Sequence, residues 1–202
     1  MEPLAHRLRP TKLEDVIGQD FLTGKDGIIT RMIQSNHLQS FVLYGGPGTG
    51  KTTIGKIIKE MYSLESYEFN ASSDSKAILQ EITNLTKFYP NVILIIDEIH
   101  RMKKDTQDYL LPYLEDGRIT IIGLTTSNPY ISINKAIRSR LNIYQMNSIT
   151  EDDIIKLLKR TIEMDEFKHL DIDDDVLRLI ATSSGCEIRT SLNMLESLEL
   201  LS

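Results

Sequence analysis

As far as residue 146, short apolar runs of strand length alternate with segments whose apolar residues recur at helical spacing. The runs predict strands at residues 41–44, 66–70, 92–96, 120–124 and 142–146. The intervening segments predict helices at residues 51–61, 76–88, 105–115 and 134–139. The strongest runs are continuously apolar, which is typical of strands covered by helices on both faces. The sequence therefore predicts an α/β fold of three layers around a mostly parallel sheet.

Beyond residue 146 only helical spacing continues. Residues 148–153 have the character of a helix start, and apolar residues then recur at helical spacing as far as residue 162. Further helices are predicted at residues 174–182 and 188–201. We therefore predict two units, an α/β core over residues 1–147 and a small all-helical subdomain over residues 148–202.

Charge and cysteine content limit the possible classes of protein. The 202 residues include 23 Lys and Arg against 29 Asp and Glu, which gives a formal net charge of −6. This balance lacks the basic excess of proteins that wrap nucleic acid, so any nucleic-acid contact must be local. The sequence shows neither a signal peptide nor ~18 consecutive apolar residues. Because the single cysteine, Cys186, has no disulfide or CxxC partner, we expect a cytoplasmic protein without membrane contact.

A glycine-rich loop directly follows the first strong strand. Its residues are Gly45, Gly46, Pro47, Gly48, Thr49, Gly50, Lys51 and Thr52, which match the phosphate-loop pattern at every required position. Such a loop turns successive backbone N–H groups toward an anion, and the helix that follows adds the positive end of its dipole. We therefore predict that residues 45–53, including Thr53, bind ATP. Lys51 would reach the β- and γ-phosphates, and Thr52 would contact Mg²⁺.

Two carboxylates end the predicted strand at residues 92–96. Asp97 and Glu98 stand at the carboxyl end of a buried strand, where open α/β sheets bind their ligands. Asp97 would hold Mg²⁺, and Glu98 would polarise the water that attacks the γ-phosphorus. The alternative is a solvated strand end, which is common for an Asp-Glu pair. With a phosphate loop earlier in the chain, the pattern indicates an ATPase.

These motifs and several others resemble the AAA+ ATPases, and among them the replication-associated recombination protein A family, the relatives of the Werner-helicase-interacting ATPase. The resemblance covers essentially the whole chain. It is carried by Arg-Leu-Arg-Pro at residues 7–10, Ile-Gly-Gln at 17–19, Asp-Glu-Ile-His-Arg at 97–101, Tyr-Leu-Glu-Asp-Gly at 113–117, Thr-Thr-Ser-Asn-Pro at 125–129 and the stretch 185–193. It implies a P-loop core followed by a helical lid.

The resemblance also implies roles for residues outside the phosphate loop. Those that would pack around the adenine are Arg9, Pro10, Val16 and Ile17, whose alternative role is that of an N-terminal arm on the core. The first sensor of the γ-phosphate would be Thr126 or Asn128. We favour Asn128, although an Asn-Pro pair also commonly begins a turn.

Three arginines complete the implied site. Arg140, or alternatively Arg138, would act as an arginine finger in a neighbouring subunit's ATP site. Two surface arginines at a helix end are the alternative. Arg189 would be the second sensor within its own subunit, and a surface arginine is again the alternative.

The sequence departs from the family in two respects. Gly46 stands where the family usually has proline, which loosens the loop without removing a ligand. Family members also continue beyond the lid into a helical oligomerisation region, so we expect this chain to lack that region. ATP hydrolysis by the chain alone would then be weak, because neighbouring arginines are not held in place.

The resemblance implies an ATP-driven remodeller that acts on DNA at stalled replication forks or DNA ends. Its expected partners are ATP and Mg²⁺, DNA with single-stranded ends or forks, and replication and repair proteins such as single-stranded-DNA-binding protein. It would form a homo-oligomer, a tetramer or hexamer, associated with the nucleoid. The alternatives are a clamp-loader-type subunit and a nucleotide-gated scaffold with little turnover.

Overall fold

A central parallel sheet organises the molecule. The structure, a computed structural model, describes residues 2–62 and 65–201, so residues 1, 63, 64 and 202 of the two predicted units lie outside the described residues. The strands are β1 (Phe41–Tyr44), β2 (Ser66–Asn70), β3 (Val92–Asp97), β4 (Ile119–Thr125) and β5 (Asn142–Gln145). They lie in the order β2-β3-β4-β1-β5, and every neighbouring pair is parallel. The predicted parallel sheet is confirmed, with strand ends shifted by no more than a residue.

Helices connect the strands and then continue alone. They are α1 (Leu4–Arg7), α2 (Asp20–Thr23), α3 (Ile28–Gln34), α4 (Lys51–Met61), α5 (Lys76–Asn84), α6 (Lys104–Glu115), α7 (Pro129–Ser132), α8 (Lys135–Arg138), α9 (Glu151–Ile162), α10 (Asp174–Ser183) and α11 (Ile188–Leu201). The predicted helix at residues 76–88 is shorter, because its last turn tightens to a 3-10 turn at Leu85–Lys87. Within the described ranges, no helix has both the length and the apolar character needed to cross a membrane.

Both faces of the sheet are buried. Alternate residues of β3 point to opposite sides, so that Leu94 and Ile96 join the apolar cluster with helices α5 and α6. Ile93 and Ile95 join the cluster with α3 and α4 on the other side. This alternation explains the continuously apolar sequence of the strand and confirms the three-layer core.

The helices after the sheet form an apolar cluster of their own. Leu158 of α9, Ile180 of α10 and Leu195 of α11 are buried together in it. A capping box begins α9: Thr150 Oγ1 accepts from the Asp153 N–H at 3.2 Å, and an Asp153 carboxylate oxygen accepts from the Thr150 N–H at 3.0 Å. Residues 151–201 are therefore a helical unit that begins at a defined point.

The first residues of the chain, through Leu8, pack with this helical unit, whereas Leu13 and Val16 pack against the sheet. Leu4 is fully buried in the same cluster, and its backbone N–H donates to a carboxylate oxygen of Glu196 at 3.0 Å. Arg7 makes a two-pronged ion pair with Glu166 at 3.0 and 3.1 Å. The apolar side chains at the start of the chain therefore complete the helical cluster, and the division into units at residue 147 stays a prediction.

Candidate functional site

A cavity of about 720 Å³ opens at the carboxyl ends of the strands, between the sheet and the helical unit. Its volume is in the range of pockets that hold a cofactor-sized ligand. The predicted site residues that line it are Arg9, Pro10, Val16, Ile17, Pro47, Gly48, Thr49, Gly50, Lys51, Thr52, Thr53, Asp97, Glu98 and Arg189. The predicted residues that do not line it are Gly45, Gly46, Asn128 and Arg140. The fold thus brings most of the predicted site together from distant parts of the sequence.

The phosphate loop is closed around its own lysine. Lys51, the first residue of α4, donates from Nζ to the carbonyl oxygens of Gly45 and Gly46, both at 2.7 Å, and to Thr49 Oγ1 at 3.3 Å. Gly50 precedes the helix with a φ of 101°, a conformation that strongly favours glycine. The ammonium is therefore buried within the loop, with only neutral oxygens as its hydrogen-bond acceptors.

Burial changes the acid–base character of this lysine. The Lys51 side chain is 8% exposed, and this desolvation lowers its pKa below the usual value, while the nearby Asp97 carboxylate opposes the shift. A desolvated ammonium gains most from an acceptor that carries negative charge. Its position therefore suits the binding of a polyanion.

The two glycines outside the cavity still shape the loop. Gly45 follows β1, and a Cβ atom there would lie 2.8 Å from the Cβ atom of Met146, which is too close for a side chain. A Cβ atom on Gly46 would meet nothing within 4 Å, so the proline usual at that position in the family has room. Both glycines contribute through the carbonyl groups that hold Lys51.

The acidic pair lies beside the loop. Asp97 ends β3, and its Oδ1 accepts from the Glu98 N–H at 2.9 Å. Glu98 has a φ of 51°, in a region that non-glycine residues rarely occupy and that is most common at functional sites. Ser72 Oγ donates to the Glu98 carboxylate. A short loop after β2 therefore holds the carboxylate, an interaction that no motif in the sequence indicates.

The oxygen ligands suit a magnesium ion. The Thr52 hydroxyl and the Asp97 carboxylate line the same cavity as Lys51, and hard oxygen donors are those that Mg²⁺ prefers. Among the described residues there is no group of three or more His, Cys, Asp or Glu that could hold a metal. Magnesium commonly binds through one or two protein groups together with substrate phosphates. The residues therefore fit an Mg²⁺ ion that arrives with a triphosphate.

The remaining walls come from the N-terminal segment and the helical unit. Val16 and Ile17 supply apolar surface, and Arg189 enters from the first turn of α11. Arg160 of α9, which the sequence analysis did not single out, also lines the cavity and pairs with Asp15 at 3.2 Å. This ion pair joins the helical unit to the N-terminal segment at the cavity wall.

The two candidates for the first sensor are placed differently. Thr126 follows β4 and lines the cavity. Asn128 is the N-cap of α7, and its side-chain oxygen accepts from the Tyr130 N–H at 2.9 Å. The Asn128 side chain thus caps the turn that begins α7, which was the alternative for an Asn-Pro pair. Thr126, which lines the cavity, is better placed to contact a ligand.

Arg138 and Arg140 lie outside the cavity of their own chain. Arg138 donates to the Tyr130 carbonyl oxygen at 2.6 Å, and its guanidinium lies 5.6 Å from the centre of the Tyr130 ring. Arg140 pairs with Glu115 at 2.7 Å. Both arginines are exposed or half-buried at a helix end, so the chain itself leaves the choice between them open.

Comparison with known proteins places these features in a family. The family profile described as the Holliday junction DNA helicase RuvB P-loop domain matches residues 8–136. Replication-associated recombination protein A of Bacillus subtilis is 45% identical over 201 residues, covering 97% of this chain and 48% of the relative. ATPase WRNIP1 of Dictyostelium discoideum is 38% identical, covering 96% of this chain and 23% of the relative. The chain therefore spans half or less of the length of these relatives.

Solved structures agree on the fold. The RuvB Holliday junction branch migration motor of Thermotoga maritima has a TM-score of 0.74 at 25% identity, covering 94% of this chain and 64% of that protein. A second RuvB structure from Thermotoga maritima has a TM-score of 0.75 at 24% identity, covering 94% and 64%. The chain belongs to the RuvB P-loop family of AAA+ domains and, within it, to the group of replication-associated recombination protein A and WRNIP1.

Proposed function

We propose that the cavity binds and hydrolyses ATP with Mg²⁺, as the motor part of a protein that remodels DNA at stalled replication forks or DNA ends. The observation that carries this proposal is the convergence of Lys51, Thr52, Asp97 and Glu98 in one cavity. These residue types supply a cation for the phosphates, oxygen ligands for magnesium and a carboxylate for the attacking water. When bound, Mg²⁺ would neutralise charge on the phosphates.

Lys51 would change partners when the triphosphate arrives. Its ammonium donates to neutral carbonyl oxygens of the loop, and charged phosphate oxygens are stronger acceptors. The backbone N–H groups of residues 48–52, in the loop and at the start of α4, would bind the phosphates. Glu98 would leave Ser72 and hold the water in line with the γ-phosphorus.

Other residues of the cavity would bind the rest of the nucleotide and sense its state. Arg9, Pro10, Val16 and Ile17 would surround the adenine, and Arg189 would reach the γ-phosphate from the helical unit, which acts as the lid. Thr126 is the better placed of the two first-sensor candidates, because Asn128 would have to release the Tyr130 N–H before it could act. An assembled ring, a tetramer or hexamer, would bring Arg140 or Arg138 to a neighbour's site.

The part of the proposal that concerns DNA rests on the relatives. Their names refer to replication-associated recombination, and the RuvB motor is named for Holliday junction branch migration. Contact with single-stranded-DNA-binding protein and association with the nucleoid are further elements of the proposal. A clamp-loader role is not favoured, because the similar proteins include replication-associated recombination protein A of Bacillus subtilis and of Escherichia coli. A nucleotide-gated scaffold is the remaining alternative.

The first prediction concerns Lys51. Replacing it with alanine removes the cation from the phosphate site, so Lys51→Ala should weaken ATP binding about 100-fold, since charged hydrogen bonds contribute about 1.5–3 kcal/mol. Lys59→Ala is the matched control, because Lys59 is partly exposed on the same helix, pairs with Glu68 and does not line the cavity. Isothermal titration calorimetry with ATP and Mg²⁺ measures both affinities. Equal affinities in the two variants would contradict the assignment.

The second prediction concerns Glu98. Glu98→Gln keeps the shape of the side chain but removes the charge that polarises water, so turnover should fall about 100-fold or more while ATP affinity changes less than about threefold. Glu81→Gln is the control, because Glu81 is exposed on α5 and does not line the cavity. Phosphate release under single-turnover conditions measures the effect. A parallel loss of binding would show that Glu98 acts on the ground state instead.

The DNA and oligomer proposal is tested by ATP hydrolysis in two lengths of protein. This chain and a version extended at its C-terminus are each assayed with and without forked or single-stranded-ended DNA. We expect turnover to rise with both extension and DNA, because assembly supplies the missing arginine. ATP binding with negligible turnover in all four conditions would favour the nucleotide-gated scaffold.

The same extended protein identifies the arginine finger. Arg140→Ala should lower turnover about 1,000-fold with ATP affinity nearly unchanged, whereas Arg138→Ala should have the smaller effect. Mixing Arg140→Ala subunits with Glu98→Gln subunits should restore part of the activity, because one interface would then combine an intact arginine with an intact glutamate. If only Arg138→Ala stops turnover, Arg138 is the finger.

A further inference from the structure

A buried glutamine joins three segments that meet beside the phosphate loop. Gln19 has no exposed surface, and its side-chain amide hydrogen-bonds to backbone groups. Its Nε2 donates to the carbonyl oxygen of Thr49 at 3.1 Å and to that of Asn147 at 2.8 Å. Its Oε1 accepts from the Asn147 N–H at 2.9 Å. One side chain therefore connects the N-terminal segment to the phosphate loop and to residue 147.

Asn147 lies where the chain passes from the sheet to the helical unit. It belongs to the short linker between β5, which ends at Gln145, and α9, which begins at Glu151. Through this linker the last strand of the sheet leads into the first helix of the helical unit. Gln19 hydrogen-bonds to both the N–H and the carbonyl group of Asn147, and these two bonds fix the direction of the backbone at residue 147.

The turn that presents Gln19 is itself fitted to the linker. Gly18 has a φ of 76°, and a Cβ atom there would lie 3.0 Å from Ile149 and 3.1 Å from an Asp153 carboxylate oxygen. The Asn147 side chain donates to the Gly18 carbonyl oxygen at 3.2 Å. Residues 18 and 19 thus grip the linker by both backbone and side chain.

We propose that Gln19 is a positioning residue that transmits the state of the phosphate loop to the linker and so to the helical unit. The proposal rests on the proposed binding of ATP at this site. When Lys51 leaves the carbonyl groups of the loop for phosphate, the loop and its Thr49 carbonyl group shift. Water does not reach the Gln19 amide, and an unpaired buried amide costs more than its hydrogen bond contributes. The amide therefore follows Thr49 and carries Asn147 with it.

The chain contains a matched control. Gln107 is also buried, at 6% exposure, and also joins backbone segments, because it donates to the Met102 carbonyl oxygen at 3.0 Å and accepts from the Asn134 N–H at 2.9 Å. It does not line the cavity, and these hydrogen bonds join it to neither the phosphate loop nor the linker. Loss of a buried bridging amide can therefore be separated from loss of the connection made by Gln19.

The experiment measures movement of the helical unit directly. Spin labels are attached at Leu179→Cys on α10 and Phe88→Cys beside the sheet, both exposed positions, in a Cys186→Ser background. Pulsed electron spin resonance then gives the distance between them without nucleotide and with ATPγS and Mg²⁺. We expect a shift on binding in the parent protein and in Gln107→Leu. Gln19→Leu should bind within about tenfold of the parent affinity and lose at least half of the shift.

A second variant guards against a folding defect. Gln19→Glu keeps the shape of the side chain and an acceptor for the Asn147 N–H. The second carboxylate oxygen replaces the N–H donor and therefore repels the carbonyl oxygens of Thr49 and Asn147. It should lose the shift at neutral pH and regain part of it at low pH, because a protonated carboxyl group again has one O–H donor. Circular dichroism at each pH establishes that the variant is folded.

Each outcome has one meaning. The role of Gln19 is overturned if Gln19→Leu, or Gln19→Glu at neutral pH, shows the same distance shift as the parent protein. It is also overturned if Gln107→Leu loses as much of the distance shift as Gln19→Leu. Nucleotide binding by the parent with no shift overturns the coupling while leaving the proposed function standing. A parent protein that does not bind ATPγS overturns both.

Discussion

Parallel pairing of the strands is the constraint from which the site follows. Because all neighbouring strands run in the same direction, their carboxyl ends meet at one edge, and every connection must cross back over a face of the sheet. The register pairs Tyr44 with Thr125 and Asn70 with Asp97 at that edge. The residue that follows each strand therefore faces the same space. The phosphate loop, the acidic pair and Thr126 converge there without any contact that draws them together.

Groups of the protein itself hold both charged side chains at the centre of the site. Loop carbonyl groups hold the Lys51 ammonium, and the Ser72 hydroxyl holds the Glu98 carboxylate. The ammonium and the carboxylate therefore both have hydrogen-bond partners, and an unpaired charge removed from water would be costly. Both partners are weaker than those that a magnesium triphosphate and its attacking water would offer. A bound nucleotide would therefore exchange neutral partners of these side chains for stronger ones.

Sequence patterns predicted the sheet, the long helices and the phosphate site because each depends on local spacing. The phosphate loop is a contiguous motif, and a buried strand has a continuously apolar sequence whatever its neighbours are. The pattern did not predict where Leu4 packs, since a four-residue helix carries too little periodicity to indicate its partner. Nor did it predict the Ser72–Glu98 contact or the bonds of Gln19, which join residues far apart in the chain. The side chain of Asn128 caps a helix instead of lining the cavity, because an Asn side chain readily accepts a hydrogen bond from a backbone N–H group close by in the chain.

The packing of the N-terminal segment divides the cavity in an unexpected way. Leu4 and Arg7 are anchored to the helical unit, and Arg9 and Pro10 follow within a few residues, whereas the phosphate loop is anchored to the sheet. A rotation of the helical unit relative to the sheet would therefore move the cavity wall formed by Arg9 and Pro10 together with that unit. The cavity would then open first on the side of Arg9 and Pro10, so a departing molecule would lose its contacts there before it lost those with the phosphate loop.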